Sequence, residues 1–232
     1  MRKIILSLSV FVLIFLIFAC SPSLSITMKD ESTTDFNFNI TNTESFFANF
    51  SAFMDFNEED FYNTVSLQSS LESLGFTNIF IQTDKNTDIK IKAQIQNQNF
   101  IDEENPLSTL ISITNNDFSI TIKPENIIEI LSSIPEITDY LDLLMAPIYT
   151  GEQISESEYL ELFASVYGES FAQDFEKTNF NISVQTLLTI KDIEISNSHL
   201  FGVNFENKTA NIQIPLYKLL CHNENNFIKI TF

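Results

Sequence analysis

Two histidines and two cysteines are the residues of this sequence best suited to acid–base or nucleophilic chemistry. Histidine is the commonest general base, and the Cys221–His222 pair suggests thiol catalysis. Adjacent residues of an extended chain point to opposite sides, however, and no nucleophile motif surrounds this pair. The sequence therefore favours surface or structural roles for His199 and His222, and for Cys221 the role of a small buried residue.

Metal-binding patterns are weak. The segment 84–88 has the D-x-N-x-D spacing with which calcium loops begin. Ile89 stands where such loops need glycine, and the later glutamate is missing, so a hairpin turn is the better interpretation. Zinc motifs such as CxxC, HxH and HExxH do not occur. We predict no metal site and no cofactor.

Acidic clusters at 58–60, 102–104 and 156–161 could supply paired carboxylates for glycoside hydrolysis. The first and third fall at expected helix starts or solvent faces, where acidic side chains are common, and the second falls in a loop. Tryptophan is absent, and so are the G-x-S-x-G, P-loop and G-x-G-x-x-G motifs. We predict no catalytic residue, and a hydrolase with dispersed catalytic residues is the least favoured alternative.

The first twenty residues carry the clearest signal of the sequence. Arg2 and Lys3 form a short basic start, and the run from Ile4 to Phe18 is apolar apart from two serines. This pattern is typical of an export signal. A membrane-spanning helix needs about 20 apolar residues, and this run is shorter and is followed at once by polar sequence. We therefore predict a signal peptide over 1–19.

The signal ends in Ile17-Phe18-Ala19-Cys20, which resembles the lipobox of bacterial lipoproteins. The box departs from the usual pattern at Ile17 and Phe18, and is similar to the relaxed boxes of spirochaete lipoproteins. The resemblance implies that Cys20 receives a diacylglyceryl group and, after cleavage, a further acyl chain such as palmitate. Two or three acyl chains hold a domain stably on a membrane, whereas one does not. The alternatives are an ordinary cleaved signal and an uncleaved anchor helix.

Charge limits the partners of the mature chain. Without Arg2 and Lys3 it keeps ten lysines, no arginine and 31 acidic residues, a net charge of −21. Nucleic acids and anionic headgroups are recognised by clusters of basic residues, and none is present. We therefore predict no nucleic-acid partner, and membrane attachment through the lipid alone. In enterobacterial lipoproteins an acidic residue after the lipidated cysteine is similar to an inner-membrane retention signal. Ser21 stands at that position here, so the resemblance implies an outer membrane or cell surface rather than the cytoplasmic membrane.

Periodicity predicts an α+β domain in which an antiparallel sheet of hairpins carries several amphipathic helices on one face. We assign 1–19 to the signal, 20–33 to the lipidated cysteine and a short tether, and 34–232 to one domain. The tether would include at most an edge strand at 25–28. Apolar alternation predicts strands at 34–40, 78–83, 88–95, 107–114 and 118–123, and several more from 179 onward. Helices are predicted at 58–74, after Pro124 and after the capping box that begins at Ser155.

One connector could contact a partner, because Pro147, Tyr149 and Gly151 combine a rigid turn with an aromatic side chain. The simpler interpretation is a helix–helix connector whose tyrosine packs on the core.

The function expected from the sequence is therefore that of a membrane-tethered envelope lipoprotein, non-enzymatic, with a binding or structural role. The 23 phenylalanines leave open a carrier or sensor of hydrophobic ligands as the alternative.

Overall fold

The computed structural model describes residues 22–41, 64–84, 88–102, 105–124, 146–221 and 224–232. Within them, strands and helices form a mixed architecture that confirms the predicted α+β class. The strands are β1 (Ser23–Met28), β2 (Thr33–Thr41), β3 (Phe76–Asp84), β4 (Asp88–Gln96), β5 (Ile111–Ile113), β6 (Asp117–Ile122), β7 (Asn179–Gln185), β8 (Asp192–Ile195), β9 (Gly202–Glu206), β10 (Thr209–Pro215) and β11 (Asn226–Thr231). The α-helices are α1 (Thr64–Ser73), α2 (Pro147–Thr150), α3 (Glu156–Tyr167), α4 (Glu169–Lys177) and α5 (Leu216–Cys221).

The strands divide between two sheets, although the sequence predicted one. The larger sheet has seven strands in the order β3-β4-β2-β1-β7-β10-β9, and the smaller has four in the order β5-β6-β11-β8. The hairpins expected from the sequence are present as antiparallel pairs such as β3–β4, β5–β6 and β9–β10. The pairing of β1 with β7 is parallel and joins segments from the two ends of the chain.

The position of β1 corrects the predicted tether. Residues 23–28 form the central strand of the larger sheet and pair with β2 on one side and β7 on the other. The prediction of an edge strand at 25–28 was therefore wrong, and β1 lies within the range 20–33 that was predicted to be a tether. The reason is the parallel partner, which lies far along the chain and leaves no local sequence signal.

Side chains alternate across the larger sheet as the pleat requires. One face is apolar and is buried at the centre of the sheet, where the cross-strand row Ile26, Val184 and Ala210 has an exposure of 0% for each residue. Together with the smaller sheet and the helices, this face forms one hydrophobic core. The opposite face carries mostly polar residues, including serines on β1 and asparagines on β2 and β7.

The end of α1 and the start of α3 lie where the sequence predicts them. Helix α1 is followed by Gly75, whose positive φ of 86° allows the chain to leave the helix and enter β3. At the start of α3, the Ser155 hydroxyl accepts a hydrogen bond from the backbone N–H of Glu158, and the Glu158 carboxylate accepts one from the backbone N–H of Ser155. This is the predicted capping box.

An aromatic cluster joins α3 to α4. The rings of Phe163 and Phe175 stack with centroids 4.4 Å apart, and Tyr159 meets Phe175 edge-on at 6.1 Å. Helix α5, which was not predicted, packs against both helices and buries Leu216, Leu219 and Leu220. The phenylalanines of α3 and α4 therefore pack in the hydrophobic core.

Two further differences concern local structure. Residues 106–109 form a 3-10 helix rather than the start of the strand predicted at 107–114, and β5 covers only Ile111–Ile113. Several predicted segments lie outside the described residues. They are the signal peptide, Cys20, residues 58–63 of the helix predicted at 58–74, and most of the helix predicted after Pro124.

Candidate functional site

A cleft of about 410 Å³ opens at the end of the larger sheet where β1 finishes. We call it the end cleft. Its lining comes from the β1–β2 turn, the 3-10 helix Asn97–Phe100 that follows β4, the β5–β6 turn and the loop after β7. The lining residues are Met28, Glu31, Ser32, Gln96, Asn97, Gln98, Ile101, Ile113, Thr114, Asn115, Leu187 and Leu188. Its volume falls within the range of small-molecule sites.

The end cleft combines an apolar body with an amide-rich rim. Ile101 is 69% exposed and Leu188 is 53% exposed, and both line this cleft. Apolar side chains that are exposed together, rather than singly, mark binding surfaces. Beside them lie the amides of Gln98 and Asn115 and the carboxylate of Glu31. Such a surface suits a ligand with an aliphatic portion and a few polar groups.

The β1–β2 turn is fixed by a side chain. The Asp30 carboxylate accepts hydrogen bonds from the Ser32 hydroxyl (2.7 Å) and the Ser32 backbone N–H (2.8 Å). These bonds stabilise the ionised form and lower the pKa of Asp30 below its ordinary value. An Asx turn of this kind holds Glu31 and Ser32 at the rim of the cleft.

A buried polar pair connects this turn to the 3-10 helix. The Thr34 hydroxyl donates to Asn97 Oδ1 at 2.6 Å, and Asn97 Nδ2 donates to the carbonyl of Glu31 at 3.1 Å. The backbone N–H of Asn97 also donates to the carbonyl of Ser32 at 2.7 Å. Thr34 is fully buried and Asn97 is 7% exposed, so these bonds replace water contacts for both side chains.

The other two loops are held in the same way. The Thr186 hydroxyl donates to the carbonyl of Leu188 at 2.7 Å, and Lys208 Nζ donates to the carbonyl of Leu187 at 2.6 Å. In the β5–β6 turn, the Thr114 hydroxyl accepts from the backbone N–H of Asp117 at 3.0 Å. Side-chain hydrogen bonds therefore fix three of the cleft's loops before any ligand arrives, which lowers the cost of ordering them on binding.

The lining residues of the end cleft offer little chemistry for catalysis. Among the lining residues that the structure describes, Glu31 is the one ionisable side chain, and there is no histidine or cysteine. His199 lies elsewhere, exposed in the turn before β9, where its backbone N–H donates to Asn197 Oδ1 and its carbonyl accepts from Lys218. His222 lies outside the described residues.

Cys221 is half-buried at the end of α5. Burial, and secondarily the nearby Glu156 carboxylate, raises the pKa of its thiol to about 12. The nucleophile in thiol chemistry is the thiolate, so a thiol with this pKa is unreactive at neutral pH.

The acidic cluster at 156–161 has structural partners. Glu156 lies 3.5 Å from Lys218 Nζ, and Glu158 closes the capping box. The hydrogen bonds from Ser155 lower the pKa of Glu158 below its ordinary value. Residues 58–60 and 103–104 of the other two clusters lie outside the described residues.

The connector singled out from the sequence lies apart from the end cleft. Pro147 is buried at the start of α2, and the next residue, Ile148, is also buried. Gly151 ends the helix with a φ of 73° and is exposed. Tyr149 belongs to α2, but the position of its side chain lies outside the description. Neither Pro147 nor Gly151 is among the described residues that line the end cleft.

Within the described ranges, no group of three or more His, Cys, Asp or Glu side chains is placed to hold a metal ion. The described helices also include none with the length and hydropathy needed to cross a membrane.

Comparison with protein-family models and with curated proteins finds no significant match for this sequence.

Sequence reasoning missed the end cleft because its walls come from four separate parts of the chain. Two weak signals point to it in hindsight. Ile101 follows Phe100 in the otherwise polar stretch 97–105, and Leu187 and Leu188 follow Thr186 just after β7, where a turn would ordinarily be polar. Large aliphatic residues in polar loops are the signal that could have indicated this site.

Proposed function

We propose that this protein is a lipid-anchored binding protein of a bacterial envelope, and that the end cleft binds a small amphipathic ligand. The proposal combines the lipobox-like sequence at Cys20 with the position of β1. Strand β1 begins three residues after Cys20, and Met28 at its other end lines the cleft.

This geometry relates the anchor to the cleft. Three extended residues span at most about 10 Å, so an acylated Cys20 would hold the Ser23 end of the sheet close to the membrane surface. Met28 lies about 17 Å farther along the strand at the usual rise per residue. The end cleft would then lie at the opposite end of the sheet from the anchor.

The lining supports binding rather than turnover. Its described residues supply aliphatic contacts and amide hydrogen-bonding groups, and they include no paired acid and base. The alternative of a hydrophobic-ligand carrier becomes part of this proposal, since the apolar half of the cleft would accept an aliphatic group of the ligand.

The anchor is tested by the intact mass of the protein extracted from membranes. We expect a chain that begins at Cys20 and carries added acyl mass, with the added mass lost in Cys20→Ala. Cys221→Ala is the matched control, because it removes the only other cysteine and should keep the acyl mass. An unmodified wild-type chain, or one that retains residues 1–19, would refute the anchor.

The ligand is tested by native mass spectrometry of the same preparation. We expect an adduct beyond the acyl groups that is lost in Leu188→Gln, which places an amide in the apolar part of the cleft. Leu162→Gln is the matched control, since Leu162 is 37% exposed on α3 and lies outside the cleft. The absence of any adduct, or equal loss in both variants, would count against the cleft as the binding site.

A further inference from the structure

A second depression, of about 430 Å³, lies on the polar face of the larger sheet, over strands β1, β7, β10 and β9. We call it the amide trough. The side chains that line it are short and uncharged. They are chiefly the serines Ser25 and Ser183 and the amides Asn181, Asn204, Asn211 and Gln213.

The absence of charge is the unusual feature of the amide trough. The chain has 31 acidic residues and a net charge of −19, yet none of the described residues lining the trough is ionisable. Solvent-facing strands commonly carry long charged side chains, which cover the backbone and keep the surface soluble. Here serine and asparagine replace them, and their short side chains leave a depression.

The amides of the trough are arranged in pairs. Asn211 Nδ2 donates to Asn204 Oδ1 at 3.3 Å, and Gln213 Nε2 donates to Asn181 Oδ1 at 3.2 Å. Asn181 Nδ2 in turn donates to the carbonyl of Asn179 at 3.3 Å. Each hydrogen bond holds two side chains in place but uses only one polar atom of each amide. The other atoms, such as Gln213 Oε1 and Asn204 Nδ2, do not take part in the bond between the pair.

Free hydroxyls lie beside these amide pairs, on β1 and β7. Ser25 and Ser183 are half-buried, and their hydroxyls have no hydrogen-bond partner among the described residues. The trough therefore presents donors, acceptors and groups that can serve as both.

We propose that the amide trough is a binding site for a neutral, hydroxyl-rich carbohydrate chain. Sugar hydroxyls both donate and accept hydrogen bonds, which matches the mixture of amides and hydroxyls. A charged ligand would lose hydration without meeting a countercharge, and the protein's net charge repels anions. A peptide strand would need unpaired backbone groups, whereas the backbone under the trough is already paired between neighbouring strands. This site is separate from the end cleft and does not depend on it.

The test measures binding of labelled hexasaccharides to the full-length protein by fluorescence anisotropy, in a detergent without a sugar headgroup. Chitohexaose, cellohexaose and isomaltohexaose are the neutral probes, and a hyaluronan hexasaccharide is the anionic probe. We expect binding of at least one neutral probe and none of the anionic one. Failure of all three neutral probes, or preference for the anionic one, would overturn the proposal.

Two variants with the same chemical change locate the site. Gln213→Glu adds a carboxylate to the trough and removes the donor to Asn181, so binding should weaken about tenfold or more. Gln82→Glu makes the same change at an exposed position of β3, which belongs to the same sheet but lies outside the trough. This variant should leave the affinity for the sugar unchanged. Equal effects of the two variants would overturn the assignment. So would binding that is lost in Leu188→Gln but kept in Gln213→Glu, since that result places the sugar in the end cleft.

Discussion

The buried pair of Thr34 and Asn97 provides the sharpest test of how the end cleft is held. In Asn97→Ala the Thr34 hydroxyl loses its acceptor in a site with no solvent exposure, and the carbonyl of Glu31 loses its donor. A buried polar group left without a partner costs about 1–3 kcal/mol. The Glu31 carbonyl lies in an exposed turn where water can replace the amide, so its share is small. We therefore expect a total loss of about 1–3 kcal/mol in the free energy of unfolding.

The reverse truncation, Thr34→Val, leaves Asn97 Oδ1 without its donor and should cost about 1–2 kcal/mol. The double variant should cost less than the sum of the two single variants by about 1 kcal/mol, because the interaction between the side chains can be lost only once. Urea unfolding of the full-length protein in mild detergent, followed by circular dichroism, measures all three values.

Asn115→Ala is the control for this experiment. Asn115 also lines the end cleft, but it is exposed, so its removal should change stability by less than about 0.5 kcal/mol. Additive effects of Thr34→Val and Asn97→Ala, or a cost for Asn97→Ala no larger than that of Asn115→Ala, would refute the reasoning.

Three further predictions concern positions outside the end cleft. Gly75→Ala should lower stability by about 1–3 kcal/mol in urea unfolding, because alanine disfavours a φ of 86° and its Cβ would collide with the Asn99 side chain. Cys221 should react with iodoacetamide far more slowly in the folded protein than in urea, and the rate should rise about tenfold per pH unit toward pH 12, because its pKa is about 12; fast, pH-independent labelling would contradict this. Ser155→Ala should cost about 1 kcal/mol of stability through the lost cap. The same change should bring the lowered pKa of Glu158 back toward its ordinary value in an NMR titration. Because that pKa is lowered, the contribution of Glu158 to wild-type stability is complete above its ordinary value and is lost as pH falls through the folded-state pKa.

Elements with local signals could be predicted from the sequence. The alternation of Phe36 and Phe38 identifies β2, and the capping box at Ser155 identifies the start of α3. Helix α5 carried a signal that was not used, since Leu216, Leu219 and Leu220 follow the i, i+3, i+4 spacing of a buried helical face. Its six residues are shorter than the window in which such a pattern stands out.

The end cleft and the amide trough could not be predicted in the same way. Each depends on pairings between distant segments, such as Ser25 with Ser183 across the parallel β1–β7 pair. Asn97 illustrates the limit for single residues. In the sequence it is one of several polar residues in a loop, and only the approach of Thr34 makes it a buried, fully bonded side chain.

Strand β1 connects these features to the proposed anchor. A strand at the centre of a sheet is held by hydrogen bonds on both sides. A constraint applied at Ser23 therefore acts on the whole sheet and is not absorbed by a flexible segment. If Cys20 carries lipid, only Ser21 and Pro22 separate the membrane from this strand. The membrane would then restrict the orientation of the end cleft and the amide trough, because both include residues of β1 or border it directly. Insertion of a flexible linker of about ten residues after Ser21 should therefore leave acylation and folding intact while removing that restriction. If the fixed orientation contributes to binding, cross-linking to envelope partners from the end of the sheet that carries Met28 should then fall.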